Sequence, residues 1–178
     1  MKKLLLFSAL IGFAFFAKAQ SESYHAFKID IGLGYAGPSS GTAEAGAAFS
    51  IEPHYRLSDD IAIGLRLEGA ALIYTQTDGT TKGSILSSYS PTVDYYLSDN
   101  TFRPFVGAGL GIFDQASVSS DDSGDNATLV SAGAKFGAFP RIGFEVGHFR
   151  LSADYDIVAS GTNYFAINIG AFFGGGKK

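Results

Sequence analysis

The chain has 178 residues, 13 basic against 17 acidic side chains, 23 glycines, 14% aromatic residues, and neither cysteine nor tryptophan. The lack of cysteine excludes a disulfide scaffold and a lipoprotein anchored through an N-terminal cysteine. An acidic chain without a basic stripe is a poor nucleic-acid binder, and abundant glycine and aromatics with few charges disfavour a helical protein.

The chain starts with a basic pair, Lys2 and Lys3, then an apolar run from Leu4 to Phe16 and a small-x-small site at Ala17-Lys18-Ala19. That layout predicts a cleaved secretory signal peptide over residues 1–19. An uncleaved helical anchor would need roughly 20 apolar residues, and Ser8 and Gly12 interrupt a stretch already shorter than that. Without Lys2, Lys3 and Lys18 the exported form carries 10 basic and 17 acidic residues, a formal charge of −7. No later segment resembles a transmembrane helix, so membrane residence would have to be through strands.

Period-two alternation then recurs eight times, because successive side chains of a strand point to opposite faces. The first predicted strand, 25–35, sets Phe27, Ile29, Ile31, Leu33 and Tyr35 against Lys28, Asp30, Gly32 and Gly34. The second, 44–57, sets Phe49, Ile51, Pro53 and Tyr55 against Glu44, Glu52, His54 and Arg56. The third, 61–74, sets Ile61, Ile63, Leu65 and Leu67 against Arg66 and Glu68, and the fourth, 84–97, sets Ile85, Tyr89, Val93 and Tyr95 against Ser88, Thr92 and Asp94. The fifth, 102–113, opposes Val106, Ala108, Leu110 and Ile112 to Arg103, Gly107, Gly109 and Gly111. The sixth, 129–146, contains the longest run: every even position from Val130 to Val146 is apolar, while the odd ones include Lys135, Arg141 and Glu145. The seventh, 149–158, sets Phe149, Leu151, Ala153, Tyr155 and Ile157 against Arg150, Asp154 and Asp156. The last sets Phe165, Ile167, Ile169, Ala171 and Phe173 against Tyr164, Ala166, Asn168, Gly170 and Phe172, before a Gly/Lys tail over 174–178.

The connections after the second, fourth and sixth strands are tight (58–60, 98–101 and 147–148), whereas that after the fifth, 114–128, is long and polar. Short turns at one end and longer loops at the other predict an all-β, eight-stranded antiparallel up-and-down transmembrane β-barrel over 20–173, its tight turns periplasmic. A soluble lipocalin-like barrel alternates in the same way with its faces reversed. Three features favour the membrane form. The apolar parity carries no Asp, Glu, Lys, Arg or His in any strand, as lipid demands. The other parity carries nearly balanced charges, as a closed interior requires. Its many glycines make room for arginines in a lumen only wide enough for side chains.

The interior charge network is therefore expected to hold Lys28, Asp30, Glu52, Arg66, Glu68, Asp94, Arg141, Glu145 and Asp154. Folding the second and third strands about Asp59 sets Glu52 opposite Arg66 and predicts a cross-strand ion pair. Tyr55, Tyr95, Phe102 and Phe149 at one end, and Tyr35, Tyr74 and Tyr89 nearer the other, are read as interfacial girdles. Pro53, Pro91, Pro104 and Pro140 fall inside strands and are read as bulges or strand beginnings near the periplasmic rim.

The stretches "FRPFVGAGLGIF" (102–113), "PRIGFEVGHFRLSADYD" (140–156) and "YFAINIGAFF" (164–173) resemble the small eight-stranded outer-membrane β-barrel proteins of Gram-negative bacteria, the OmpA/OmpX-like group. The resemblance implies residence in the cell outer membrane, among its lipid, and assembly by the outer-membrane barrel assembly machinery. That machinery would read Phe165, Ile167, Ile169, Ala171 and Phe173, although this chain continues past the aromatic to Lys178. The family hosts adhesins, anchors and enzymes, so it speaks weakly to activity.

A non-enzymatic, structural or loop-presenting role is expected, with an extracellular ligand, if any, bound through loop 114–128. Asp121, Asp122 and Asp125 in that loop do not follow an EF-hand spacing and read as a solvated acidic loop rather than a calcium site. A narrow, porin-like path for small solutes is the alternative; a barrel enzyme acting on lipid or peptide is less favoured. His25, His54 and His148 all fall toward the tight-turn end, away from an outer-rim active site. No phosphate loop, metal-ligand cluster, nucleophile triad or cofactor motif stands out.

Overall fold

The computed structural model describes residues 23–39, 43–75, 81–120, 127–159 and 163–178. The expected signal peptide and Asp121, Asp122 and Asp125 lie outside them.

Eight strands follow one another: β1 (Phe27–Pro38), β2 (Ala43–Arg56), β3 (Ile61–Thr75), β4 (Thr81–Tyr96), β5 (Phe102–Ser120), β6 (Ala127–Val146), β7 (Phe149–Val158) and β8 (Tyr164–Gly174). Each pairs antiparallel with its neighbour, and β8 pairs with β1 to close the barrel. No helix among the described residues is long and apolar enough to cross a membrane. The closing seam sets Ile29 against Phe173, Leu33 against Ile169 and Tyr35 against Ile167, with Gly32 facing Gly170. Only glycine serves at 170, because a Cβ there would sit on the Ile31 carbonyl and 2.9 Å from the Gly32 Cα.

The alternation sorts the side chains as a pleated sheet requires. Leu33, Tyr89, Leu110, Phe136, Ile142, Ile169 and Phe173 stand exposed on the outer wall, while Lys28, Arg56, Arg66, Asp94, Arg141 and Glu145 are buried within. Tyr95, Phe102 and Phe149 are exposed on the wall near the tight turns and Tyr35 and Tyr89 farther along it; the Tyr74 side chain lies outside those described. Phe144 joins Phe102 and Phe149 in a contiguous aromatic patch, with ring centroids 5.3 and 6.3 Å apart.

Three expectations are corrected. The described residues of loop 114–128 are strand, the end of β5 and the start of β6: Ser117 pairs with Val130, Val118 with Leu129 and Ser120 with Ala127. The run from Val130 to Val146 is not one uninterrupted alternation. Between the pairs Asp114–Ala134 and Ala116–Ser131 the register shifts by one residue, at Gly133 with φ +80°. This is a β-bulge on a residue that adopts the left-handed conformation without a Cβ penalty.

The prolines, in turn, are not bulges. The β2–β3, β4–β5 and β6–β7 ladders each skip two pairs beside Pro53, Pro91 and Pro140, yet resume in the same register. Each proline lacks a donor toward one neighbour and keeps its place in the ladder on its other side, where Ile29, Leu65 and Ala108 face them. Pro104, third in β5, does sit at a strand beginning.

Candidate functional site

The strands direct their inward residues into a lumen narrow enough for side chains to meet across it. Glu52 on β2 accepts two hydrogen bonds from Arg141 on β6, at 2.7 and 2.8 Å, and one from the Thr92 hydroxyl at 2.5 Å. Arg141 also donates through Nε to Asp94 at 2.7 Å. Arg150 bridges Asp94 and Glu145 at 2.9 and 2.6 Å. Lys28 contacts both Glu145 and the Tyr96 hydroxyl, and lies 3.2 Å from Asp30. His54 Nε2 stands 2.6 Å from Asp30 and 3.5 Å from Glu52. Every one of these charges is within reach of an opposite one, and the mutual attraction offsets the cost of burying them.

Closer to the loops lies a second group. Arg66 is ringed by Asp156 at 2.5 Å, Glu68 at 3.2 Å and Asp154 at 3.9 Å. The Tyr164 hydroxyl donates to Glu68 at 2.6 Å, and the Asn168 amide to Asp154 at 3.1 Å. A cavity of about 20 Å³ between the two groups is lined by Asp30, Glu52, Arg66, Arg141, Arg150 and Asp154, among others; it has the volume of about one water.

The nine expected interior residues are therefore all inside, but their partners differ from cross-strand arithmetic. The β2–β3 register does fold about Asp59, with Ser50 opposite Glu68 and His54 opposite Gly64. Glu52 and Arg66 nonetheless form no ion pair. In so narrow a barrel long side chains reach across the lumen to the far wall, where Arg141 and Asp156 stand, rather than to the adjacent strand.

Aromatic and aliphatic residues on the inward parity are the part that sequence reasoning missed. Toward the loop end of the strands Ala36, Ala48, Ala70, Leu86, Phe113, Phe139, Val158, Tyr164 and Ala166 form one apolar cluster. Toward the tight turns Ala62, Tyr96 and Phe105 form another. The Arg66 guanidinium lies 3.5 Å from the Phe139 ring centre and that of Arg150 3.9 Å from Phe105, so the rings also pack against the cations. Phe105, Phe113 and Phe139 standing among glycines on the polar parity were the available signal.

At the tight-turn mouth Tyr24 is almost fully buried. The Arg103 and Arg56 guanidinium groups lie 4.0 and 4.8 Å from its ring, and its hydroxyl donates to the Asp99 carbonyl at 2.8 Å. Gly174 and Gly175, with φ of 78° and 64°, turn the chain back across this mouth. There the His25 N–H donates to the Gly176 carbonyl at 2.9 Å, and the Lys178 N–H to that of Ser23 at 3.0 Å.

Of the histidines, His54 belongs to the ionic network and His148 stacks on Phe172 at 5.5 Å. Among the described residues no cluster of three or more His, Asp or Glu side chains is placed to hold a metal ion. Phe165, Ile167, Ile169 and Phe173 stand exposed along the outer face of β8.

The sequence matches, over residues 6–174, the family model described as outer membrane protein beta-barrel domain. No curated protein matches it. The fold is similar to that of Neisserial surface protein A, at 16% identity and a TM-score of 0.57 over 86% of this chain and 99% of that one. It is also similar to the outer membrane protein OprG from Pseudomonas aeruginosa, at 14% identity and a TM-score of 0.56 over 87% and 99%. A third likeness is to Ail, the attachment invasion locus protein of Yersinia pestis, solved with a heparin analogue, at 13% identity and a TM-score of 0.54 over 85% and 99%. At such identities these likenesses speak for the fold.

Proposed function

Because the chain belongs to the outer membrane protein beta-barrel domain family, we propose that it is a non-enzymatic barrel of the Gram-negative outer membrane, a scaffold presenting its loop-end hairpins outside the cell. The observation that carries this reading is the division of faces. The wall exposes Leu33, Leu110, Phe136, Ile142 and Phe173, while the charges are turned inward and paired. Water would reward the opposite arrangement; hydrocarbon rewards this one, since an outward Lys or Arg costs about 2–4 kcal/mol at mid-bilayer.

The filled lumen supports a scaffold over a conducting pore. Ion pairs occupy the section nearer the tight turns, and Leu86, Phe113 and Phe139 pack the section nearer the loops. A non-enzymatic role is supported by the histidines: His54 is sealed among carboxylates and His148 packs on Phe172, and neither stands beside a nucleophile at the loop rim. With residues 1–19 removed on export, the tight turns face the periplasm, and the outer face of β8 (Phe165, Ile167, Ile169, Ala171 and Phe173) serves both as lipid contact and as the strand read by the assembly machinery.

Heat-modifiable migration is the direct test. Protein refolded into detergent should run as a compact band unboiled and at its full mass when boiled, and protease added to whole cells should cut only at the loop end. A chain that stays monomeric and folded in plain buffer, with no such shift, would overturn the reading.

A further inference from the structure

Charge inside the barrel is not evenly spread. Toward the loops one cation, Arg66, faces three carboxylates. Toward the tight turns cations gather instead: Glu145 meets Lys28 and Arg150, which Asp30 and Asp94 also hold, and is the sole carboxylate of the described residues within 4 Å of Arg56, at 3.5 Å. None of the three Arg56 guanidinium nitrogens makes a hydrogen bond, although the residue is fully buried. Arg103, 5% exposed, donates to the carbonyls of Ser98 and Asp59 at 3.3 and 2.9 Å. No carboxylate oxygen of the described residues comes within 4 Å of it. Lys177 adds a further ammonium, 5.9 Å from the Tyr24 ring centre.

Arg103 and Lys177 border a cavity of about 220 Å³ that opens at the tight-turn mouth. Its walls include Tyr24, Asn100, Arg103, His148, Lys177 and one carboxylate, Glu145, which is already engaged by Lys28 and Arg150. The backbone holds the walls in place: Gly147 turns between β6 and β7 with φ 60°, and Gly174 and Gly175 lead the following chain over the mouth. A guanidinium fork, an ammonium and an amide side chain on the walls, with a buried arginine short of acceptors beside them, outnumber the single wall carboxylate, Glu145.

We propose that this mouth is an oxyanion site that takes a phosphate group, held by Arg103 and Lys177 over the buried charge of Arg56. Guanidinium donors match two phosphate oxygens at once, and an ammonium adds a point charge. The cavity admits a phosphate with a small substituent, and two sources fit that chemistry: free phosphate, or the headgroup of an anionic phospholipid at the nearby membrane surface. That the mouth faces the periplasm rests on the proposed function; the charge imbalance does not.

The test uses the full barrel refolded in non-ionic detergent. Inorganic phosphate is titrated at constant ionic strength, balanced with chloride, while the ¹H–¹⁵N signals of the Arg103 side chain and the Lys177 amide are followed. Saturable shifts are expected, weakened about tenfold or more in Arg103→Gln, weakened less in Lys177→Gln and unchanged in Lys135→Gln on the far side of the barrel. A parallel titration with dihexanoyl phosphatidylglycerol below its micelle threshold separates the sources: tighter binding than inorganic phosphate assigns the headgroup, and weaker binding assigns the free ion. Shifts that never saturate, or equal affinity in wild type and Arg103→Gln, overturn the proposal. Should Arg103→Gln fail its heat-modifiability check, undiminished affinity in Lys177→Gln together with an unmoved Arg103 signal in wild type overturns it as well. A barrel folded normally that shows no phosphate response sinks this site and leaves the scaffold reading intact.

Discussion

Glu52 and Arg141, 89 residues apart in sequence, are joined across the lumen by two hydrogen bonds of 2.7 and 2.8 Å. Arg141 is also one of two cations holding Asp94. Removing it leaves Glu52 with only the Thr92 hydroxyl and His54 beside it and weakens the hold on Asp94, deep in the barrel. Arg141→Met should lower stability by about 3–5 kcal/mol, read from urea unfolding in lipid vesicles. The double variant Glu52→Leu/Arg141→Met should recover much of that loss, since an apolar pair of similar volume carries no unmatched charge. A double variant no more stable than the single one would show that these charges are not coupled.

Two glycines should respond in opposite ways. A Cβ on Gly137 would press on the Phe113 ring at 2.5 Å and on the Ile157 carbonyl oxygen at 2.9 Å, whereas one on Gly69 would meet nothing within 4 Å. Gly137→Val is expected to cost about 1–3 kcal/mol, and Gly69→Ala to stay within about 0.5 kcal/mol of wild type. Equal costs in the same unfolding assay would mean that the inward rings are not packed against the sheet.

The outer wall can be probed one side chain at a time. Ile142 is 63% exposed, and Ile142→Lys should destabilise the vesicle-inserted barrel by about 2–4 kcal/mol if it stands at mid-bilayer. Ile142→Leu should be nearly neutral. A lysine tolerated there without cost would place that wall in water.

The lumen should not conduct. Planar-bilayer recordings of the wild type are expected to show no discrete current steps, and Arg66→Ala alone should remain silent because Leu86, Phe113 and Phe139 still obstruct the section nearer the loops. Steps in Arg66→Ala but not in wild type would mean that the ion pairs, not the apolar layer, close the path.

The barrel was largely legible in the sequence because alternation is a local signal that lipid leaves clean. All eight strands overlap the predicted segments and β7 spans its predicted bounds, while β5 runs seven residues past its own, to Ser120. Legibility failed wherever the outcome depended on distance across the lumen. The β2–β3 turn predicts that Glu52 faces Arg66 along the sheet, but no local pattern says that Arg141 is nearer in space. Gly133 failed for another reason: Ala132 and Ala134 are both apolar, so a slip of one residue between them leaves no trace in hydropathy. The inward rings of Phe105, Phe113 and Phe139 were hidden because a polar face is recognised by its charges, and the eye passes over large apolar residues set between glycines. The imbalance at the tight-turn mouth was illegible because a count over the whole chain averages both ends of the barrel.

The meeting of β1 with β8 also bears on how the molecule forms. Every other ladder joins strands adjacent in sequence, each a hairpin that can zip from its own turn. This one brings Lys28 opposite Gly174, so nearly the entire polypeptide must already be arranged before its first rung gains anything. Contacts of such separation are costly to reach and slow to nucleate. Circularisation should accordingly be the rate-limiting event, and a seven-hairpin curved sheet with two unpaired margins the species that accumulates before it.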